Sequence, residues 1–235
     1  MDRPEELTYP QARTASFFFY RQGWHLVALL ILIPLSWQLA SPHLHDGVWF
    51  GVRASRWFWA SMTLSIIHQL IVWIVFRLQL GWASLTRVFG KYDLIIWGLL
   101  FLPLFISRIA TQVALARATN GTLALPKVFT TIVALMLLIP TVYTFWSVLK
   151  YFGLVRAMVG DHFRFQFRQM PLEKRGIFKN SSNAMYAFGF LLLWAIALFN
   201  LSIPALVMAF FQHSYIWVHY FCTEKPDMDF IFPNH

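Results

Sequence analysis

The chain has 235 residues, 58% of them hydrophobic and 12% charged, with 11 Trp and a formal net charge of +9. Soluble domains carry about a quarter charged residues, so this chain has too few charges to cover a water-soluble globule and reads as a polytopic membrane protein. Its basic residues lie between apolar runs, which favours an anionic leaflet as partner over nucleic acid. The single cysteine, Cys222, excludes an internal disulfide or a thiolate metal cluster in this chain and reads as a small packing residue.

Residues 1–23 are polar and acidic before they turn aromatic, without the basic start and short apolar core of a cleaved signal peptide. The first hydrophobic run is therefore expected to stay as a helix, with Phe17, Phe18, Phe19 and Tyr20 in the interface ahead of it. A spanning helix needs about 20 mostly apolar residues. Trp24–Ala40, Trp57–Phe76, Leu94–Ala116 and Val128–Leu149 meet or approach that length, and Pro34 and Pro140 are expected to kink the spans that hold them. Arg108 lies about 15 residues along the third, roughly 22 Å at 1.5 Å per residue, and is expected to snorkel to the far interface.

Residues 151–183 form the longest interruption. Phe163, Phe165 and Phe167 alternate with Arg164, Gln166 and Arg168, a period of two that predicts an extended segment with its aromatic side toward the bilayer. The arginines there read equally as a surface anchor or as contacts to lipid headgroups. Gly160-Asp161-His162 reads as a solvated turn or as a close backbone approach to a ligand.

From Asn180 to Thr223 there is no Asp, Glu, Lys or Arg, enough chain for two passes, with turn chemistry at Asn200-Leu-Ser-Ile-Pro204. A hairpin of helices at about 184–199 and 202–221 follows. The predicted fold is thus all-α, with about six transmembrane helices and a C-terminal helical hairpin in a single membrane domain. Residues 1–149 form its four-helix part and 150–235 its core. Of the 19 basic residues, all but Arg53, Arg56, Arg108, Arg117 and Lys127 fall on the side of the termini, so the positive-inside rule places both termini in the cytoplasm.

The histidines, at 25, 43, 45, 68, 162, 213, 219 and 235, form no metal-binding pair, and His213 and His219 read as packed, hydrogen-bonded side chains. Walker, dinucleotide-binding and GxSxG signatures are missing from the sequence. No metal is expected, and a cofactor would have to be held by loops and helix ends.

Three pieces of the C-terminal half stand in a specific order. Gly160-Asp161-His162-Phe163 resembles the GDYF stretch of phosphatidylethanolamine N-methyltransferases. Asn183-Ala184-Met185-Tyr186 with Gly189 resembles their NPMY element, itself akin to the RHPxY element of isoprenylcysteine carboxyl methyltransferases. Glu224-Lys225-Pro226-Asp227-Met228 resembles the EKPHM segment of the fungal enzymes. The resemblance covers about residues 150–232, and it departs at Ala184 for proline, at Ser182 where the carboxyl methyltransferases have arginine, and at Lys225 for a second glutamate.

This resemblance implies a membrane methyltransferase using S-adenosylmethionine without a Rossmann domain. Gly160, Asn183, Tyr186, Gly189 and Glu224 would then line the cofactor site, and Glu224, Asp161 or His162 would take the proton of the acceptor amine. Arg164, Arg168 or Arg175 would hold the phosphate of a phospholipid substrate. Alternatives are an acceptor such as a quinone, a sterol-like lipid or a small thiol, and a non-enzymatic transporter or scaffold. A bacterial inner membrane is the expected location, with the endoplasmic reticulum as the alternative; the oligomeric state is not legible.

Overall fold

In the computed structural model, residues 3–232 are described; His235 and the extreme termini lie outside them. The architecture is helical. Four helical stretches are long and apolar enough to cross a membrane: Ala15–His43, Ala54–Trp82, Ser84–Ala118 and Lys127–Phe152. We label their main helices α1 (Gln22–Ala40), α2 (Ala54–Trp82), α3 (Asp93–Ala118) and α4 (Lys127–Ser147). The arms of the C-terminal hairpin are shorter. The first combines a π-helical turn at Met185–Gly189 with α5 (Leu191–Phe199), and the second is α6 (Ile203–His219). The six expected spans thus resolve into four full-length ones and two shorter arms. A two-stranded ribbon, Val48–Trp49 with Val52–Arg53, is the only strand structure among the described residues.

Apolar side chains cover both the outside and the inside, as a hydrocarbon solvent permits. Leu26, Leu30 and Ile31 on α1 and Val128, Met136 and Ile139 on α4 are exposed. Inside, helices approach closely through small residues: Ala40, Ala54, Ala116, Ala118, Ala197 and Ala205 share one buried cluster. Helix α6 is central, packing against α1, α2, α3 and α5.

The hairpin turn is fixed by local chemistry. The Ser202 hydroxyl accepts the Ala205 N–H at 3.1 Å as an N-cap, and Pro204 stands in the first turn, where its missing N–H costs nothing. Leu201 adopts a left-handed conformation (φ 50°), and its carbonyl accepts the Leu123 N–H at 2.7 Å. Ser202 also shares a 2.6 Å hydrogen bond with Thr119, which ties the turn to the end of α3.

At the opposite end the N-terminal segment, the 153–183 region and the chain after α6 meet in a polar cap. Tyr9 donates its N–H to the Leu80 carbonyl at 3.0 Å and packs edge-on against Phe230. Arg168 donates to the Leu7 carbonyl at 3.0 Å. The chain continues from α6 through a π-helical turn, Tyr220–Glu224, into α7 (Lys225–Ile231).

The expectation of an extended basic–aromatic strand is overturned. Residues Gly160–His162 form a 3-10 turn and Phe165–Arg168 a short helix, so the alternation does not sort side chains onto two faces. Phe163 is fully buried with Phe76, Trp97 and Met158, while Phe167 lies over Gly160. The arginines between them are drawn into the cap: Arg164 is paired with Asp93 at 2.6 Å.

Arg77 of α2 and Asp227 of α7 form an ion pair at 3.1 Å with both side chains fully buried. Arg77 also donates to the Phe17 carbonyl at 3.1 Å and lies over its ring. Removing one partner of such a pair strands the other charge. Asp227→Ala is expected to cost about 3–5 kcal/mol, read as lost thermal stability in detergent, with the double variant Arg77→Met/Asp227→Leu recovering most of it. Equal losses in the single and double variants would show that the pair does not brace the cap.

Candidate functional site

A cavity of about 270 Å³ opens between α2, α3, α4, α6 and the start of the hairpin. Most of its wall is apolar, including Val72, Phe101, Phe105, Val148 and Leu193. Its polar lining consists of His68, Gln69, Arg108, Thr144, Tyr186, Gln212, His219 and Glu224. This arrangement, an apolar shaft with a few convergent polar groups, is the usual form of a small-molecule site.

Two of the sequence motifs meet on this wall. Tyr186, in the π-turn that opens the hairpin, donates its hydroxyl to the Glu224 carboxylate in the π-turn that follows α6, across 38 residues of sequence. Such single-turn π insertions inside helices are frequent at functional sites. Burial is the main influence on Glu224, pushing its carboxyl up to about 7; the Tyr186 hydrogen bond opposes this, and Asp227 and Asp161 add to the rise. Gly189 lines the same wall, and a methyl group there would project into open space.

The other expected site residues lie around this pair. Asn183 is at the hairpin entry, where its carbonyl accepts the N–H groups of Tyr186 and Ala187, both at 3.0 Å; it sets the position of Tyr186 without lining the cavity. Gly160 is buried behind the wall. A Cβ there would come within 2.9 Å of the Phe167 ring and 3.0 Å of the Val155 carbonyl oxygen, so its small size admits Phe167. Asp161 is buried 3.8 Å from the Arg156 guanidinium, and burial raises its carboxyl above the usual range while Arg156 opposes. His162 stacks on Phe76 with ring centres 4.3 Å apart, and its Nε2 lies 3.4 Å from Asp227. Asp161 and His162 are therefore in the cap, outside the cavity's lining.

The three arginines are engaged within the protein. Arg164 makes a two-pronged contact with Asp93 at 2.6 and 2.8 Å, and Arg168 donates to the Asp161 carbonyl at 2.7 Å. Arg175 is exposed and bonded to Glu173 at 2.8 Å. Lys225 pairs with Asp229 at 2.6 Å, leaving Glu224 as the carboxylate of that motif on the cavity wall.

Two expectations about the spans are corrected. Arg108 does not snorkel: it is 3% exposed, donates to the Gln212 side-chain oxygen at 3.0 Å, sits 3.3 Å from the His68 ring nitrogen and lies over Phe190. About ten residues separate it from the end of α3 at Ala118, about 15 Å at 1.5 Å per residue, and polar partners inside the bundle are nearer. His213 is packed and accepts from the Trp194 indole at 3.2 Å, as expected, but His219 lines the cavity and its Nδ1 has no hydrogen-bond partner among the described residues. The sequence reading did not assign His68, Gln212 or His219 to the site; the signal available was polar side chains within otherwise apolar spans, one of which holds an arginine. Among the described residues no group of three or more His, Cys, Asp or Glu is placed to hold a metal ion.

Comparison with known families bears directly on this half of the molecule. Residues 129–235 match the phospholipid methyltransferase family. The match begins in α4 and takes in the hairpin, both π-turns and the Tyr186–Glu224 pair, and it bears out the resemblance carried by the three motifs. The matched region thus supplies one wall of the cavity, while α2 and α3 supply the other from outside the match. Comparisons with curated proteins and with solved structures give no match.

The two glycines of the motifs are expected to respond differently. Gly160→Ala should lower stability by about 1–3 kcal/mol through overpacking against Phe167, whereas Gly189→Ala, facing open space, should leave the melting temperature unchanged. Thermal unfolding of the two purified variants checks this; a stable Gly160→Ala protein would show that the cap yields to the added methyl.

Proposed function

We propose that the chain is an integral-membrane methyltransferase that takes its methyl group from S-adenosylmethionine and passes it to the amine of a phospholipid such as phosphatidylethanolamine. The observation that carries this reading is the meeting of Tyr186 and Glu224, from two separate motifs of the matched region, on the wall of one apolar cavity. The residues fit a cationic amino-acid cofactor: a half-enclosed carboxylate beside an unsubstituted glycine offers a charge partner and room for close approach.

When bound, the cofactor supplies an electrophilic methyl on a sulfonium centre. The chain's own part is alignment and exclusion of water, since direct displacement needs no covalent enzyme intermediate. Tyr186 orients the Glu224 carboxylate, and the ionised carboxylate holds a cationic group. The acceptor nitrogen must lose a proton to attack. His219, on the cavity wall one and a half turns before Glu224, or Glu224 itself is placed for that role, and Asp161 and His162 act from behind by setting the position of the cap.

The cap end is assigned to the cytoplasm, supported by the bias of basic residues toward it, and a bacterial inner membrane is the proposed location. Arg164 and Arg168 hold the cap together there, and Arg175 stays at the surface where lipid headgroups arrive.

Reconstituted protein given methyl-labelled S-adenosylmethionine and phosphatidylethanolamine should yield labelled mono-, di- or trimethylated lipid, and Glu224→Ala should abolish the label with the fold intact. Cofactor binding without labelled lipid would keep the methyl donor and discard this acceptor; an active Glu224→Ala protein would discard the site.

The carboxyl pushed up to about 7 gives the pH dependence a sign. Its ionised form, which binds a cation, gains population as pH rises through that value, so affinity for S-adenosylhomocysteine should increase roughly tenfold between about pH 6 and about pH 8. Calorimetric titration at the two pH values checks this, and Glu224→Gln should flatten the dependence.

A further inference from the structure

The end of the cavity away from Glu224 carries a charge that the methyl-transfer reading leaves unused. Arg108 of α3 is 3% exposed within a span, an expensive place for a guanidinium. Its contacts are all to neutral or conditionally charged groups: the Gln212 oxygen, the His68 ring nitrogen and the Phe190 ring face. Among the described residues no carboxylate forms an ion pair with it, although Arg77, Arg156 and Arg164 each have one. Among the described residues its Nη2 has no hydrogen-bond partner, and neither has the Nε2 of His68, which is itself 3% exposed. Both residues line the cavity, as does Gln212.

Gln212 is held in turn, donating from its side-chain nitrogen to the Ser61 hydroxyl at 3.2 Å, which fixes its oxygen toward Arg108. The guanidinium is therefore oriented by α2 and α6 from two sides. An oriented but uncompensated cation at the buried end of an apolar cavity matches an anionic oxygen group, for which arginine is the best-shaped partner.

The cavity is then polarised along its length. Glu224 and Tyr186 lie toward the cap, and Arg108 with His68 lies on a level about 12 residues back along the last helix, roughly 18 Å at 1.5 Å per residue. The Arg108 guanidinium shortens that separation by reaching over Phe190, one turn beyond Tyr186.

We infer that Arg108, oriented by Gln212 and His68, is the oxyanion-binding group of this cavity and takes the phosphate of the acceptor. The inference rests on the proposed methyltransferase reading for the identity of that acceptor, a phospholipid whose phosphodiester lies away from the donor's amino-acid end held at Glu224. It involves α2 and α3, outside the family match at residues 129–235.

The test uses the full chain purified in detergent, with Arg108→Gln and Arg108→Lys as variants. Three bindings are measured: S-adenosylhomocysteine by calorimetry, and dioleoyl phosphatidylethanolamine and dioleoylglycerol by native mass spectrometry. Loss of phosphatidylethanolamine binding by tenfold or more in Arg108→Gln, with dioleoylglycerol and S-adenosylhomocysteine within twofold of the parent, assigns the phosphate. A tenfold loss confined to S-adenosylhomocysteine overturns the phosphate assignment. Arg108→Lys keeps the charge in the same space and decides the matter where the glutamine variant does not fold: a three- to tenfold loss of phosphatidylethanolamine binding alone supports the site. Unchanged binding of both charged ligands in a folded variant overturns it. If the parent chain binds no S-adenosylhomocysteine and transfers no methyl group, the methyltransferase reading falls, while Arg108-dependent binding of the phospholipid over dioleoylglycerol still upholds the oxyanion site.

Discussion

The buried pair of Arg77 and Asp227 is the contact through which the two halves of the cap are held to the membrane bundle. Arg77 is near the end of α2, and Asp227 is in the first turn of α7. Helix α7 continues from α6 through the Tyr220–Glu224 turn, so fixing Asp227 also fixes Glu224 three residues earlier. His162 touches the same carboxylate and stacks on Phe76, one residue before Arg77. The Gly-Asp-His motif and the Glu-Lys-Pro-Asp motif are thereby brought to one place by a single ion pair, and the N-terminal segment closes over it through Phe17.

That arrangement divides the charges of these motifs by task. Asp161, His162, Arg164 and Arg168 form contacts that shape the cap, with Arg156 and Asp93 as partners. Glu224 is turned the other way, onto the cavity wall, where the Tyr186 hydroxyl meets it. Burial of paired charges is weak evidence of net stabilisation, but their mutual geometry specifies which way the short, irregular segments run. A cap built of 3-10 turns and π-turns has few regular backbone hydrogen bonds to do this instead.

Much of the fold was legible because membrane spans are written in composition. The four long apolar stretches and the uncharged hairpin follow from length and hydropathy alone, and Asn200 to Pro204 announced the turn that Ser202 and Leu201 then build. The cap was poorly legible for a physical reason. Its alternation of Phe163, Phe165 and Phe167 with basic residues mimics a strand, yet a chain already surrounded by helices buries Phe163 in their core and offers its arginines carboxylates and carbonyls to bind. Glu224, Tyr186 and Gly189 were found through motif resemblance, whereas Arg108, His68, Gln212 and His219 come from three different helices with no shared local pattern. Only packing brings them together.

Arg108 shows how the solvent changes the reading of a single residue. In a bilayer an arginine can extend to the interface or find partners inside, and the choice depends on which face of its helix is occupied. On α3 the inward face meets Gln212 and His68, and the same helix sends Gln112 to the carbonyls of Leu193 and Ala205 at 3.2 and 2.8 Å. Arg108 and Gln112 of α3 are thus turned toward α2 and the hairpin. Gln112 spends its donors on the Leu193 and Ala205 carbonyls in the first turns of α5 and α6, which is a structural use. Arg108 instead keeps part of its guanidinium unpartnered beside a cavity, in surroundings where an unmet donor is costly. The side-chain nitrogen of Gln112 is met by backbone carbonyls while the Arg108 Nη2 is unmet beside a cavity, and that contrast between donors separates a brace from a group left available to a ligand.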